Sequence, residues 1–334
     1  MPLMFSVSGL RGIVGVDLTP KVIYKYAQAF GEFLKPGHVV IGRDTRKSGP
    51  IFRRAVIHGL NAAGCTVVDL GIVPTPTVLF MVRKLRANGG IVITASHNPE
   101  QWNALKFVSR RGQFLDAQEF KKFSKLLNRA KISKQLSKNT FKIKKISSGI
   151  NEHTNKIISI LKMPSVKLKI GVDAVNGAGS IALPMLLEKL GCLVYRLNCK
   201  FRPNFPRRPE PTSGNIKVLC QLVKKNGLDL GFAVDPDCDR LSIVDENGQA
   251  IGEENTLVLA TDYMLSKFTG NVVTNLSTTV LMNDIVRKYN CRLYRTKVGE
   301  ANVVSKMEMV KAIIGGEGNG GVIYPKINFT RDAL

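Results

Sequence analysis

The chain contains three short polar segments that combine residues able to bind or transfer a charged group. The first, Thr94-Ala-Ser-His-Asn-Pro99, directly follows the apolar run Gly90–Ile93. A serine at the end of a buried strand, held by a turn that Asn-Pro favours, can present the hydroxyl of Ser96 to a ligand, with His97 and Lys106 as proton carriers or phosphate partners. The same residues also favour plain turns, so a purely structural loop is the alternative. The segment lacks the acidic partner of a typical catalytic triad, which disfavours a serine hydrolase.

The second segment has three aspartates at alternating positions, Asp235, Asp237 and Asp239. Carboxylates so close together repel one another unless a cation lies between them, and hard oxygen ligands favour Mg²⁺. A surface acidic turn and a Ca²⁺ loop are the alternatives. Glu246 stands at the twelfth position of a Ca²⁺ loop, but Arg240 replaces the glycine needed at the sixth, and a strand pattern rather than a helix follows.

The third segment is rich in glycine, Gly315-Gly-Glu-Gly-Asn-Gly-Gly321. It is no dinucleotide fingerprint, because the strand pattern Val322–Tyr324 follows where a helix is required. Glycines let a ligand approach the backbone closely, and Glu317 and Asn319 can hydrogen-bond sugar hydroxyls. A structural bend explains the glycines equally well.

Two N-terminal segments add arginines that can bind a phosphate. They are Ser8-Gly-Leu-Arg-Gly12, which contains Arg11, and Gly42-Arg-Asp-Thr-Arg46. A guanidinium matches the geometry of a phosphate with two parallel hydrogen bonds. Structural ion pairs are the alternative for these arginines.

Apolar β-branched runs and helical patterns must position these segments, and they alternate along the whole chain. This alternation predicts parallel or mixed sheets with helices on both faces, where ligands lie beyond the carboxyl ends of strands. We predict strands at His38–Ile41, Thr66–Leu70, Gly90–Thr94, Leu168–Asp173, Leu193–Leu197, Leu230–Val234, Leu241–Val244, Val272–Leu276, Ile313–Ile314 and Val322–Tyr324. We predict helices at Lys21–Leu34, Thr77–Leu85, Ile181–Leu190, Asn255–Lys267 and around Val303–Lys311. We also predict helices that end near Ala63, Lys225 and Tyr289, and a strand that ends at Thr296. The elements form three consecutive α/β units, which we place at residues 1–148, 149–250 and 251–334.

Composition limits the class of protein. The 334 residues are 44% hydrophobic and 22% charged, as in a globular protein with a sizeable core, and we expect neither a signal peptide nor a membrane helix. Six scattered cysteines argue against a zinc site and a disulfide framework, and so favour a cytoplasmic protein. The net charge is +24, and residues 120–151 hold ten Lys and Arg but no acid. Because few aromatic residues accompany these charges, we favour a solvated basic face or linker over a nucleic-acid site.

The motifs together resemble the α-D-phosphohexomutase superfamily, which includes phosphoglucomutase, phosphomannomutase and phosphoglucosamine mutase. Five motifs follow one another in that superfamily's order: Ser-Gly-Leu-Arg-Gly, Gly-Arg-Asp-Thr-Arg, Thr-Ala-Ser-His-Asn-Pro, Asp-x-Asp-x-Asp-Arg and a Gly-Glu sugar loop. The resemblance implies three mixed-sheet α/β domains of similar topology, with the active site in the cleft between them. It further implies a monomer or homodimer that acts on a small phosphosugar, with no nucleic-acid or membrane partner.

The resemblance also implies a role for each site residue. Ser96 would carry a phosphoryl group and hold Mg²⁺ together with Asp235, Asp237 and Asp239. A bisphosphorylated sugar would be the intermediate and activator. Arg11, His97 and Lys106 would act around the reacting phosphate. Substrate would be bound by Arg240, Glu317, Asn319 and Gly299.

The sequence also indicates which subfamily is most similar and where the chain differs from the family pattern. The sugar loop is most similar to that of phosphoglucosamine mutases, which implies conversion of glucosamine 6-phosphate to glucosamine 1-phosphate, with phosphoglucomutase or phosphomannomutase activity as the alternative. Asn103-Ala104 replaces the usual Asn-Gly before Lys106, and we expect a restricted turn there. Gly321 stands where many relatives have a histidine. Relatives continue into a fourth domain, so we expect weak turnover from these residues, or an inactive remnant that acts as a basic binding protein.

Overall fold

The computed structural model describes residues 3–129, 142–162 and 164–334, which fold into two compact units that meet in sequence at His153 and Thr154. The first unit has one seven-stranded sheet, and the second has two four-stranded sheets. The strands are β1 Met4–Ser6, β2 Gly9–Ile13, β3 His38–Arg43, β4 Thr66–Ile72, β5 Gly89–Ile93, β6 Trp102–Ser109, β7 Ile143–Lys145, β8 Lys169–Asp173, β9 Leu193–Leu197, β10 Leu230–Val234, β11 Leu241–Val244, β12 Val272–Asn275, β13 Leu293–Thr296, β14 Ile314–Glu317 and β15 Gly321–Ile323. The helices are α1 Pro20–Leu34, α2 Gly49–Ala62, α3 Thr75–Lys84, α4 Ala117–Arg129, α5 Gly149–Leu161, α6 Gly179–Lys189, α7 Lys217–Asn226, α8 Glu254–Lys267, α9 Leu281–Lys288 and α10 Glu300–Val310.

The three sheets share one four-strand order. In each, the second strand lies beside the first, the third lies on the first strand's other side, and the fourth pairs antiparallel with the third. The orders are β4-β3-β5-β6, β9-β8-β10-β11 and β13-β12-β14-β15. The first sheet is longer because β2 and β1 continue beyond β6, and β7 lies beside β4. The prediction of three mixed-sheet α/β domains is therefore confirmed.

The order places the three chemical segments at equivalent points. Each follows or ends the third strand of its sheet, where the chain turns back into the antiparallel fourth strand. Ser96 follows β5, Asp235 follows β10, and Glu317 is the last residue of β14. Within each sheet, the chemical segment therefore lies at the carboxyl end of a strand, as the sequence predicts.

The core of the first unit packs α1, α2 and α4 on the sheet. Phe123 of α4 is fully buried, and its ring centroid lies 5.3 Å from that of Phe30 and 4.9 Å from that of Phe107. Aromatic rings bury large areas in such contacts. The second unit has separate apolar clusters for its two sheets, one around Ile170 and Val234 and another around Leu257 and Ile314.

Several element boundaries differ from the prediction. Helix α3 begins at Thr75, two residues early, because Pro76 is accommodated in its first turn. Helix α10 begins at Glu300 rather than near Val303, directly after Gly299. The strands β1, β2, β6 and β7 and the helices α4 and α5 were missed. The glycine-rich segment is a hairpin of β14 and β15, so residues 315–317 and Gly321 of the predicted loop are strand.

The basic stretch also differs from a simple linker. Residues 130–141 lie outside the described residues, but Ile143–Lys145 forms the edge strand β7 and pairs with β4. All six cysteines are described and are free thiols. Within the part of the chain that the structure describes, every helix falls short of the length and apolarity that crossing a membrane takes.

Candidate active site

Ser96 has an unusual backbone in the loop between β5 and β6. Its φ is 48°, in the left-handed region that costs a non-glycine residue about 1–2 kcal/mol. The loop fixes this conformation because the Ser96 amide donates to Thr94 Oγ1 at 2.9 Å, and that hydroxyl donates to Asp44 Oδ2 at 2.7 Å. Ser96 is 3% exposed. Strained residues that are held by their surroundings cluster at functional sites.

Arg46 is the main support of residues 94–101 between β5 and β6, which we call the serine loop. Its guanidinium has five N–H donors. One binds Asp44 Oδ2 at 3.0 Å, and the other four bind main-chain oxygens at 2.6–3.0 Å. Those oxygens belong to Ser96, Asn98, Pro99 and Trp102. Arg46 therefore has a structural role, and its fully used fork speaks against the phosphate contact that the sequence allowed.

Polar side chains of the first unit surround the serine loop. His97 Nδ1 lies 3.3 Å from Ser96 Oγ, and Arg11 Nη1 donates to Asn98 Oδ1 at 2.8 Å. Arg11 on β2 is the register partner of Ala104 on β6, so Arg11 and Lys106 project from the same face of the sheet. Lys106 is 6% exposed, and its Nζ lies 5.7 Å from the centre of the Phe114 ring. The structure thus places Arg11 and His97 against the serine loop, with Lys106 on the same face of the sheet as Arg11.

The expected turn at Asn103-Ala104 is wrong. Both residues lie inside β6, where Ala104 pairs with Arg11. Asn103 Nδ2 donates to Ser48 Oγ at 2.7 Å, and its Oδ1 accepts from the Ala104 amide at 2.8 Å. An alanine is ordinary in such a strand, so the replacement of glycine does not restrict Lys106.

Residues 235–240 between β10 and β11, which we call the acidic loop, bring the three predicted metal ligands together. Asp235, Asp237 and Asp239 are each fully buried, and one oxygen of each lies within 4.8 Å of the others. Asp235 Oδ1 accepts from the amides of Asp239 at 3.0 Å and Arg240 at 3.2 Å. Burial, and then the charges of Asp237 and Asp239, raise the pKa of Asp235 well above its usual value. Buried carboxylates in mutual repulsion form the oxygen donor set that a hard divalent cation such as Mg²⁺ fits.

Two arginines lie at the C-terminal end of the acidic loop. Arg240 Nη1 lies 2.6 Å from Glu210 Oε1, so this predicted substrate residue already has an acidic partner. Arg331, which the sequence analysis missed, lies with its Nη2 2.8 Å from Asp239 Oδ2. Burial lowers the pKa of an arginine, but Asp239, Glu300 and Glu317 more than offset this and raise the pKa of Arg331 well above its usual value.

The glycine hairpin holds its acidic residue firmly. Glu317 is 3% exposed, and its Oε1 accepts from Asn275 Nδ2 at 2.8 Å and from the Gly299 amide at 3.1 Å. Its Oε2 accepts from Arg331 Nη1 at 2.9 Å. Gly299 has a φ of 117° at the start of α10, a conformation that glycine adopts without strain. The Gly299 amide therefore contacts Glu317 directly, and a substrate role for the two residues stays a prediction.

Asn319 lies at the turn of the hairpin, and its Oδ1 is buried with no hydrogen-bond partner among the described residues. Arg331 gave no signal in the sequence because it belongs to no recognised spacing. Only the fold brings it to Asp239, 92 positions away. A buried arginine facing several carboxylates is visible only once the sheets are assembled.

Comparison with known families agrees with these three sheets. The sequence matches the phosphoglucomutase/phosphomannomutase alpha/beta/alpha domain I over residues 2–133, domain II over residues 150–248 and domain III over residues 253–334. Among solved structures, a putative phosphomannomutase from Thermus thermophilus is similar with a TM-score of 0.90 and 28% identity, over 100% of this chain and 78% of that one.

Curated relatives cover nearly the whole chain. A phosphoglucomutase/phosphomannomutase from Thermococcus kodakarensis is 38% identical over 99% of this chain and 75% of its own length. A probable phosphoglucosamine mutase from Pyrococcus abyssi is 35% identical over 99% and 73%. A phosphoglucosamine/phosphogalactosamine mutase from Sulfurisphaera tokodaii is 33% identical over 99% and 75%.

Proposed function

This chain belongs to the phosphoglucomutase/phosphomannomutase family, and on that premise we propose that it interconverts the 6-phosphate and 1-phosphate of a hexose through a phosphorylated Ser96. The observation that carries the proposal is the serine loop. A nearly buried serine with a left-handed backbone is fixed by Thr94 and Arg46, with His97 Nδ1 at 3.3 Å from its hydroxyl oxygen. Such a fixed hydroxyl suits phosphoryl transfer, which depends mostly on positioning and charge stabilisation.

The proposed reaction has two balanced transfers. Phosphorylated Ser96 gives its phosphoryl group to the free hydroxyl of the sugar phosphate: a P–O bond to the sugar forms, and the P–O bond to Ser96 Oγ breaks. The sugar's proton leaves as the serine oxygen becomes a hydroxyl again. The bisphosphorylated sugar then turns around and returns its other phosphoryl group to Ser96. We assign His97 and Lys106 to proton transfer and Arg11 to charge stabilisation at the serine loop.

We assign the metal to the acidic loop. Asp235, Asp237 and Asp239 would hold one Mg²⁺ together with the phosphate on Ser96, and the ion would supply charge neutralisation during transfer. The buried, mutually repelling carboxylates support this assignment, since a cation relieves their repulsion. Arg240 would contact a substrate phosphate by exchanging its present partner, Glu210.

We place the sugar hydroxyls at the glycine hairpin. Asn319 supports this, because its buried Oδ1 can accept a hydrogen bond from a hydroxyl. Glu317 would orient the hairpin and Gly299, and would offer its remaining lone pairs to the sugar. Glucosamine 6-phosphate is our first candidate substrate, since relatives from Pyrococcus and Sulfurisphaera carry the name phosphoglucosamine mutase. Glucose and mannose phosphates are the second, supported by the name of the Thermococcus relative.

We also propose a location and an organisation. The protein would act in the cytoplasm, because its cysteines follow no disulfide or zinc spacing. The predicted boundaries 1–148, 149–250 and 251–334 stay a proposal for the limits of the three domains.

The test is conversion of glucosamine 6-phosphate to its 1-phosphate, measured with Mg²⁺ and a trace of hexose bisphosphate, with glucose and mannose phosphates assayed in parallel. We expect turnover by the native chain, loss of all detectable turnover in Ser96→Ala, and a fall of about 10²–10⁴-fold in Asp237→Asn. Turnover that survives in Ser96→Ala, or a folded native chain that converts none of the three sugars, would contradict the proposal.

A further inference from the structure

Arg331 contacts two segments that lie far apart along the chain. Its Nη2 lies 2.8 Å from Asp239 Oδ2 in the acidic loop, and its Nη1 lies 2.9 Å from Glu317 Oε2 in the glycine hairpin. Its Nε lies 3.2 Å from Glu300 Oε2 at the start of α10. The side chain is 10% exposed, and those of its three partners are 0%, 4% and 9% exposed. One buried guanidinium thus faces three buried carboxylates from three elements.

The surrounding backbone fixes Arg331 in this position. Glu300 Oε1 accepts from the Arg331 amide at 3.1 Å and from the hydroxyl of Thr330. Gly321 makes room for the side chain, because a Cβ there would collide with Arg331 Cδ and Cγ. A glycine at position 321 is therefore the condition for this arginine conformation, and any larger residue would compete with it.

The charges of Arg331 and of the carboxylates around it affect both the stability of the fold and the binding of a metal ion. The acidic loop and its neighbours bury four carboxylates, Asp235, Asp237, Asp239 and Glu317, and the side chain of Glu300 beside them is 9% exposed. Buried like charges destabilise a fold unless a cation lies among them. Arg331 supplies such a cation at one edge of the loop. The same positive charge repels a divalent ion that approaches Asp239, and in a desolvated site this repulsion is strong.

We propose that Arg331 is a built-in counter-cation: it positions Asp239 and Glu317 when no metal is bound, and it lowers the affinity of the acidic loop for Mg²⁺. The inference rests on the proposed metal site. It makes Arg331 a positioning residue that links the acidic loop to the glycine hairpin. The acidic loop would be formed before Mg²⁺ arrives, at the expense of affinity for the ion.

The experiment compares two variants that separate charge from shape. Arg331→Gln removes the charge but keeps hydrogen-bond donors, and Arg331→Lys keeps the charge but loses the fork. Mg²⁺ affinity is measured by isothermal titration calorimetry, and the melting temperature is measured in EDTA and in saturating Mg²⁺. For the glutamine variant we expect a lower melting temperature in EDTA, a larger rise with Mg²⁺ than in the native chain, and Mg²⁺ binding about tenfold tighter. For the lysine variant we expect an affinity within about threefold of native.

The outcomes separate this inference from the proposed function. If the native chain binds no Mg²⁺, or if Asp237→Asn binds it as tightly, the metal site and this inference both fail. If the native chain binds Mg²⁺ and the glutamine variant binds it equally or more weakly, only the inference fails. A merely structural role for Arg331 would lower the melting temperature equally with and without Mg²⁺.

A second variant reaches Arg331 without changing any charge, and it decides the matter if the glutamine variant does not fold. Gly321→Ala places a methyl group against Cδ and Cγ of Arg331, and so displaces the guanidinium from Asp239. We expect this variant also to bind Mg²⁺ severalfold more tightly than the native chain. Unchanged or weaker binding would overturn the inference.

Discussion

The serine loop and the acidic loop are built alike but held differently. Both connect the third and fourth strands of a sheet, and both contain a residue in the left-handed region, Ser96 at 48° and Cys238 at 57°. A buried arginine supports each loop. Arg46 directs four of its five donors to main-chain oxygens, whereas Arg331 binds three side-chain carboxylates.

The two loops differ in the interactions that fix their shape. The serine loop is fixed by hydrogen bonds to its backbone, so its shape needs no bound ion. In the acidic loop two main-chain amides also bind Asp235 Oδ1, but its buried carboxylates depend on a balance of charges, so a metal ion, a lost arginine or a changed carboxylate alters the loop directly. A phosphoryl carrier benefits from a constant position, while a metal site must accept and release an ion.

The largest expected effect comes from removing the support of the serine loop. Arg46→Met leaves the carboxylate of Asp44 buried without its guanidinium and deprives four main-chain oxygens of their donors. We expect the free energy of unfolding to fall by about 3–5 kcal/mol. Urea denaturation followed by circular dichroism measures it.

The matched control for Arg46 is Arg111→Met. Arg111 is 43% exposed and pairs with Asp116 and Glu119 on the surface, so its loss should change the unfolding free energy by less than about 1 kcal/mol. Saturating Mg²⁺ should restore none of the stability lost in Arg46→Met. Restoration by Mg²⁺ would break the contrast between the two loops.

A smaller loss is expected from the hydroxyl that links Ser96 to Asp44. Thr94→Val keeps the shape of the side chain but removes the acceptor of the Ser96 amide and a donor to Asp44 Oδ2. We expect a loss of about 1–3 kcal/mol in the unfolding free energy and a fall in turnover. Full activity in this variant would mean that the backbone of Ser96 is held without Thr94.

The strain at Ser96 predicts a gain from glycine. Both Ser96→Gly and Ser96→Ala remove the hydroxyl, but only glycine adopts a φ of 48° without steric cost. We expect the glycine variant to be more stable than the alanine variant by about 1 kcal/mol, as measured by thermal unfolding. Equal stability of the two would show that the left-handed backbone carries no strain.

Two buried cysteines report whether the acidic loop opens without metal, one inside that loop and the other in the core of the first unit as a reference. Cys238 lies inside the acidic loop, and burial, followed by the neighbouring aspartates, raises the pKa of its thiol well above the usual value. Burial likewise raises the pKa of Cys65 in the core of the first unit. Both thiols are therefore neutral near pH 8 and react only when the structure opens.

We expect alkylation of Cys238 to be severalfold faster in EDTA than in Mg²⁺, because the carboxylates around it repel one another without the ion. Alkylation of Cys65 should be the same in both. Peptide mass spectrometry after timed labelling measures both rates at once. A rate for Cys238 that ignores Mg²⁺ would argue that Arg331 alone keeps the acidic loop closed.

Much of the fold followed from the sequence because its strands are apolar runs bounded by turns. The third strands β5 and β10 were placed closely, and with them the loops that carry Ser96 and Asp235. Strands with polar or mixed composition were missed. Strand β2 carries Arg11 and β6 carries Lys106, and neither alternates cleanly enough between apolar and polar residues to be recognised.

The residues that hold the candidate site in place could not be predicted from local sequence patterns. Arg46 appeared as a phosphate ligand or an ion pair, since nothing in its own segment reveals the four main-chain oxygens that surround it. The roles of Arg331 and Gly321 follow only from the contacts that Arg331, beyond the end of β15, makes with the hairpin and with Asp239. Residue types predict what a side chain can do, and the assembled sheets determine which partner it meets.

The most direct test of the central claim is transfer of a phosphoryl group to Ser96. The dephosphorylated chain is incubated with Mg²⁺ and a hexose 1,6-bisphosphate, and intact mass and peptide mass spectrometry locate any added phosphate. The account predicts one phosphate on the peptide that contains Ser96, no phosphate in Ser96→Ala, and much slower transfer in Asp237→Asn. A phosphate on another residue, or transfer that persists in Ser96→Ala, would contradict it.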